Sequence, residues 1–419
     1  MIGSELPKGW KLVPLKEITS IIRGVSYPKE EAKLHPEENY VHILRGGNIQ
    51  DGKIVFETDD NVYVNSSLVG EEQFVLKDDV VIVASTGSKK VIGKAATIEE
   101  DSRCISFGAF LLLLRTNVID KRFHSYFFQT QYYRNTISSL AGGININNIK
   151  KEHIENLQIP LPPLTEQKQI AEKLDKLFDQ IETIKEASNK IPELLKNFRQ
   201  QVLTYAVTGK LTNSDFAHWE KSTIGAIGKV KGGKRLPKGE ELVNYNTGYP
   251  YIRARDLKEG TVLKQNIMYL LPETQEKIKN YIVKTNDVYI TIVGAKIGDA
   301  GIIPESMNNA NLTENAAKIT DLSEKIMPQY LSLWLQAPLC QSEIQQSIKS
   351  AAQGKLALTR INSLSVCFPP IESQKEIIDK VEYLLGELKI IESKFYQLQN
   401  ILEKLPQALL CKAFKGELL

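Results

Sequence analysis

The chain spells one fifty-residue stretch twice. A shift of 207 residues, from Pro162 to Pro369, lays 162–211 on 369–418 without a gap, so that PPLTEQKQIAEKLDKLF at 162–178 returns as PPIESQKEIIDKVEYLL at 369–385. Identities run the whole way: Pro162/Pro369, Pro163/Pro370, Gln167/Gln374, Lys168/Lys375, Ile170/Ile377, Lys173/Lys380, Leu177/Leu384, Ala206/Ala413, Gly209/Gly416 and Leu211/Leu418. Loops absorb insertions, whereas helices packed in register do not. A gapless internal repeat of this length therefore predicts a rigid helical element whose length matters.

The apolar pattern supports that reading. Steps of four and three from Ile170 reach Leu174, Leu177, Ile181, Ile184, Ser188, Ile191, Leu195, Phe198 and Val202, with Ser188 alone polar. The second copy gives Ile377, Val381, Leu384, Leu388, Ile391, Phe395, Leu398, Leu402, Leu405 and Leu409 without exception. A sustained seven-residue repeat predicts a coiled-coil seam, with Ile170, Leu174, Leu177, Ile181 and Ile184 packing on Ile377, Val381, Leu384, Leu388 and Ile391. Each helix would span roughly 50 to 60 Å. Paired prolines supply a stiff entry to each copy and Gly209 or Gly416 the exit. Pro192 and Pro406 fall inside the pattern and would kink or break it.

The preceding segments repeat more loosely. Trp10 answers Trp219, Pro28 answers Pro237, and VHILRGGNIQDGKI at 41–54 answers PYIRARDLKEGTV at 250–262. Short β-branched runs between Gly, Asn and Asp, with a helix-like stretch late in each copy, predict two α+β domains with irregular sheets. FGAFLLLL at 107–114 reads as one buried strand. Four segments result: a first globular domain at 1–160, a first helical spacer at 161–209, a second globular domain at 210–367 and a second spacer at 368–419. A 150-residue globule is only about 35–40 Å across. A parallel helix pair would make it bridge the full helix length, so antiparallel packing is the easier solution and the expected one, with a pseudo-twofold relation between the halves.

Composition excludes several classes. Hydrophobic residues at 42% and charged residues at 25% are enough for packed cores, which argues against wholesale disorder. No apolar run approaches membrane length and no secretory leader is visible at MIGSELPKGW, so the expectation is a cytoplasmic protein without membrane contact. Cys104, Cys340, Cys367 and Cys411 are isolated, which favours free thiols over zinc. GSKKVIGK at 87–94 fails as a phosphate loop: five residues separate Gly87 from Gly93, and Ala95 follows Lys94 where a hydroxyl is needed. The histidines have no metal spacing. Neither Pro-Pro pair carries the flanking acid or amide and aromatic of an adenine methyltransferase. No catalytic set and no cofactor site emerges for this chain.

Basic clusters do emerge. A net charge of +3 permits nucleic-acid binding without arguing for it, so the argument is local. KVKGGKRLPK at 229–238 carries Lys231, Lys234 and Arg235 among five cations with no acid, and glycines that allow close backbone approach to phosphates. Its first-copy counterpart offers Arg23 and Lys29. Arg45 aligns with Arg253, and Arg255 follows; an arginine fork matches guanine O6 and N7. Lys89, Lys90 and Lys94 answer Lys296 in a glycine-rich turn. Asn145, with Asn147 and Asn148, either meets adenine edges or caps its own turn. These are the candidate DNA contacts.

Two differing α+β globules separated by near-identical long helices resemble the specificity subunit of type I restriction-modification systems. PLPPLTEQKQIAEKLD opens the first helix and AFKGEL closes the second; Ser373 departs from the pattern where the first copy has Glu166. The resemblance covers essentially the whole chain. It implies that each globule is a target-recognition domain reading one half of a split asymmetric site in double-stranded DNA. It also implies that the helices set the spacer and dock two methyltransferase (modification) subunits, which bind S-adenosylmethionine, with restriction/translocase subunits as further partners. One helical turn, about 5.4 Å, corresponds to about 1.6 base pairs. The alternative from the residues alone is a coiled-coil interaction scaffold with two ligand-binding domains and no nucleic acid.

Overall fold

The structure is a computed structural model and describes residues 6–50, 52–56, 58, 61–141, 147–349 and 354–419. It divides into two compact units, Met1–Ser188 with Gln397–Leu419, and Asn189–Tyr396.

In the first unit an antiparallel four-stranded sheet runs in the order Ser20–Arg23, Leu111–Arg115, Val80–Val83, Ala95–Thr97. A three-stranded sheet places Tyr40–Leu44 between Ile105–Phe107, in parallel, and Val62–Asn65, in antiparallel. Lys11–Pro14 pairs with Gln158–Leu161, and the helices Lys121–Phe128 and Gln131–Leu140 cover the core. FGAFLLLL is thus not one strand. Gly108–Phe110 turns between two strands that belong to different sheets, and Phe110 is 65% exposed. A glycine inside an apolar run is where a strand bends away from its sheet.

The second unit has the same topology. Its four-stranded sheet runs Lys229–Gly232, Ala316–Thr320, Val288–Thr291, Ala300–Ile302, all antiparallel. Pro250–Ile252 lies between Asn311–Leu312, in parallel, and Met268–Tyr269, in antiparallel. Glu220–Thr223 pairs with Ser365–Phe368, and the helices Pro328–Gln336 and Pro338–Lys349 follow the sheets.

The repeated fifty residues fold differently in the two copies. The first forms two helices, Leu164–Ser188 and Ile191–Val207, with Pro192 in the opening turn of the second. Ending one helix at Ser188 and starting the next at Ile191 puts Pro192 in a first turn, where no preceding helical turn meets its ring and its missing N–H costs no helical hydrogen bond. The final helix, Ile371–Ala413, runs through Pro406 unbroken. Each unit takes the start of one repeat and the end of the other. Ile170, Ala171 and Leu174 join Leu410, Ala413, Phe414 and Leu418 in the first core, where Phe414 packs 4.9 Å from Phe123. Val202, Leu203, Ala206 and Val207 join Ile377, Ile378 and Val381 in the second.

Of the predicted seam, Ile170, Leu174, Ile181, Ile377, Val381 and Leu388 are buried, while Leu177 and Leu384 are half-buried. Ile184 and Ile391 are a correction, since they are 44% and 51% exposed. They are the same position in the two copies. The exposure is local to that position, because later steps of the same pattern, Ser188 and Val202 in the first copy and Leu402 in the second, are buried again. Ser188, the polar exception, is buried, donates to the Lys185 carbonyl at 2.8 Å and accepts Gln399 Nε2 at 3.0 Å.

The repeated entrance motif has a local cause. Gln167, buried, accepts the Asp120 amide at 3.0 Å and donates to the Pro162 carbonyl at 2.8 Å. Gln374, fully buried, accepts the Met327 amide at 2.8 Å and donates to the Pro369 and Lys325 carbonyls, each at 2.8 Å. One amide in each copy therefore ties the helix entry to the first turn of a domain helix and satisfies a proline carbonyl. In the first copy Glu166 also accepts Trp10 Nε1 at 3.0 Å.

Candidate nucleic-acid interface

A four-way junction of main chain is built twice. In the first unit it centres on Gly108–Phe110. Val25 donates to the Phe107 carbonyl at 2.7 Å, Gly108 to the Leu44 carbonyl at 2.9 Å, and Ala84 and Ser85 to the Phe110 carbonyl at 2.9 and 3.0 Å. Ile149 then donates to the Ala84 carbonyl at 2.8 Å. In the second unit Lys234 donates to Leu312 at 2.8 Å, Thr313 to Ile252 at 3.0 Å, Ile292 and Val293 to Asn315 at 2.8 and 3.3 Å, and Leu356 to Ile292 at 3.0 Å. Each junction gathers the loops that carry the candidate cations.

Around the first junction, Arg23 ends a strand one residue before Gly24 and is exposed, as are Lys89 and Lys90 in the turn beyond Ser85–Thr86; Lys94 is half-buried. Lys29 is exposed beside Glu30 and Glu31. Arg45 is half-buried, and its amide donates to Asn48 Oδ1 at 2.8 Å. Asn147–Asn148 pair with Ser85–Thr86, which brings that segment to the junction; Asn145 lies outside the described residues. In GSKKVIGK the amides of Val91 and Ile92 both donate to the Ser88 carbonyl and that of Gly93 to Val83, so they point into the turn and away from any phosphate.

Around the second junction, folding brings acids to the cations, most of them from distant segments. Lys229 lies 3.2 Å and Lys231 3.9 Å from Asp321, and Lys229 in particular holds that carboxyl below its usual range. Arg235 meets Glu314 at 3.3 Å, and Lys296 meets Asp299 at 3.9 Å. All four cations are more than half exposed, where such pairs contribute little and leave the charge available to an incoming phosphate. Lys234 is exposed, its ammonium 5.5 Å from the Tyr281 ring centre, and Arg255 is exposed as well. Arg253 is a correction. Its Nε and Nη2 grip Asp256 at 2.9 Å each, and Nη2 also reaches the Asn266 carbonyl, so the fork expected to read guanine is occupied within the chain. The Asp256 carboxylate also accepts the Arg253 amide at 2.8 Å, as Asn48 does for Arg45, so this loop is built alike in both copies.

Sequence reasoning passed over three residues at the junction tips: exposed Phe110, and exposed Glu314 with half-buried Asn315 in the corresponding turn. Gly108 in the first run was the available signal. Among the described residues no group of three or more His, Cys, Asp or Glu is placed to hold a metal, and no helix is long and apolar enough to cross a membrane. Cys340 and Cys367 are buried free thiols, and burial pushes Cys340 up to about 12.

Two α+β domains of one topology, each converging cationic loops on a turn with its own tip residues, define a duplicated recognition module. The family model described as type I restriction modification DNA specificity domain matches residues 7–193 and again 217–400, and the chain belongs to this family. It is 34% identical over 430 residues to the type I restriction enzyme EcoKI specificity subunit of Escherichia coli (strain K12), covering 100% of this chain and 91% of that one. It is 35% identical over 428 residues to the StySPI specificity subunit of Salmonella potsdam, with the same two coverages. The crystal structure of the HsdS subunit from Thermoanaerobacter tengcongensis shares the fold, with a TM-score of 0.70 at 17% identity over 99% of both chains. Nothing in these comparisons favours a scaffold without nucleic acid.

Proposed function

We propose that this chain is the sequence-specific DNA-binding subunit of a type I restriction-modification complex, each unit reading one half of a bipartite, asymmetric duplex site. The observation that carries this reading is the duplicated junction: the same main-chain bonds recur in both units while the tips differ, Ala109–Phe110 against Glu314–Asn315. Equal scaffolds with unequal tips suit two half-sites of unequal sequence. The exposed lysines and arginines supply phosphate contacts that position the tips, and base edges supply the discrimination.

In this reading 1–160 and 210–367 are the recognition domains and 161–209 and 368–419 the spacers. The spacers pair as an antiparallel coiled coil that sets the distance between half-sites and docks two methyltransferase (modification) subunits. The sharing of each core between the start of one repeat and the end of the other supports the antiparallel order. S-adenosylmethionine binding and adenine methylation belong to the partner subunits, and this chain is a non-catalytic cytoplasmic component that restriction/translocase subunits also join. The test is to reconstitute the chain with its modification subunits and map methylated adenines across a random duplex library. Two unlike half-sites at a fixed spacing are expected; methylation without a bipartite motif overturns the proposal.

A further inference from the structure

We propose that Phe110 is a specificity-determining residue of one half-site, making apolar contact with a base. The inference rests on the DNA-reading function proposed above and deepens it. A single exposed phenylalanine is ordinary on a protein surface; the placement of this one is not. It stands 65% exposed at the tip of the Gly108–Phe110 turn, and its own carbonyl is held by two amides, those of Ala84 and Ser85. The turn is further fixed by the Gly108 amide on Leu44 and by the close approach of Gly24, so the ring projects from a rigid base and not from a wandering loop. The loops that fix it lead from Arg23, to Arg45 and to Lys89–Lys90. An apolar ring set among cationic loops on a fixed turn matches a duplex: phosphates engage the rim, and the ring meets what the groove offers an apolar group. That is a thymine methyl, or the space between bases at a deformable step.

The second unit supplies the contrast. There the tip is Glu314–Asn315 on the same backbone, with Glu314 beside Arg235 at 3.3 Å, a polar pair suited to hydrogen-bonded base edges. The two halves therefore discriminate by different chemistry, apolar in the first and polar in the second.

The test uses the full chain assembled with its modification subunits and a duplex library randomised at both half-sites. The unaltered complex must first select a bipartite site; if it does not, the proposed function fails and this inference with it. Given that site, Phe110→Ala is expected to lose tenfold or more of its base preference at one or two adjacent positions of one half-site, with the other half unchanged. Phe110→Leu retains most of the preference. Phe110→Asn, which installs the residue of the corresponding turn, loses it, and the melting temperature of all three stays near that of the parent. Unchanged preference in Phe110→Ala and Phe110→Asn, or a uniform loss of affinity with both motifs intact, overturns the inference while leaving the function standing.

Discussion

Gly24 lies so close to Gly108 that a Cβ added to Gly24 would sit 2.1 Å from the Gly108 carbonyl oxygen. Its counterpart Gly233 stands in the same relation to Thr313, at 2.0 Å. Both obstacles are main chain and cannot swing aside. Gly24→Ala and Gly233→Ala are each expected to destabilise the unit concerned by roughly 1–3 kcal/mol through overpacking. Gly108→Ala, whose new carbon meets Ile43 Cγ2 at 3.4 Å, should be tolerated. Calorimetric melting of the three variants checks the order.

Arg253 and Arg255 make opposite predictions two residues apart. Arg253 is bound to the buried Asp256, so Arg253→Ala strands that carboxylate and should cost on the order of 2–3 kcal/mol of stability. Arg255 is exposed, and Arg255→Ala should leave melting unchanged while weakening duplex binding. Melting and binding assays on the pair separate a structural arginine from a contacting one.

Lys234 and Arg235 are exposed at the second junction, and the Arg235–Glu314 pair is too solvated to withhold its charge. If both touch phosphates, the double alanine variant loses about 1.8 from the slope of log affinity against log salt. An unaltered slope would remove them from the interface.

The spacers predict a length rule. Four residues inserted into Leu164–Ser188, with the matching insertion in Ile371–Ala413, add about 6 Å and should lengthen the unspecified spacer by one or two base pairs. Methylome mapping reads this directly, and an unmoved spacer would defeat the ruler.

His124 is fully buried against Phe128, its Nε2 is 2.9 Å from Thr19 Oγ1, and burial pushes its pKa from 6.5 down to about 3. Between those values the unfolded chain takes up a proton that the folded chain refuses. Stability therefore falls as pH drops from about 6.5 towards 3, by up to about 1.4 kcal/mol per pH unit from this group, and is indifferent to it above 6.5. His124→Leu should flatten that slope in a melting series from pH 4 to 7, whatever it does to stability at neutral pH.

Much of the architecture was legible because it is periodic or repeated. The gapless match located both helical repeats, and the loose match of Trp10 with Trp219 announced two α+β domains of one kind. What escaped was set by contacts distant in sequence. Whether proline interrupts a helix depends on its surroundings: Pro192 sits in the opening turn of a new helix, while Pro406 is carried through an unbroken one. The acids beside Lys229 and Arg235 flank the two ends of another strand, Ala316–Thr320, some ninety or eighty residues later, and no local reading of 229–238 reveals them. The occupation of Arg253 by Asp256 was nearer at hand, at a spacing of three, but becomes visible only once the turn is formed. Phe110 was hidden by its neighbours, four leucines that made it look like core.

Both junctions are held by amides and carbonyls, groups that every residue except proline brings regardless of its side chain. Mutation at the tips therefore leaves the bonds of the framework intact. A lineage carrying this chain can rewrite its address without renegotiating its foundations, and novelty at those few positions is inherited at little risk to folding.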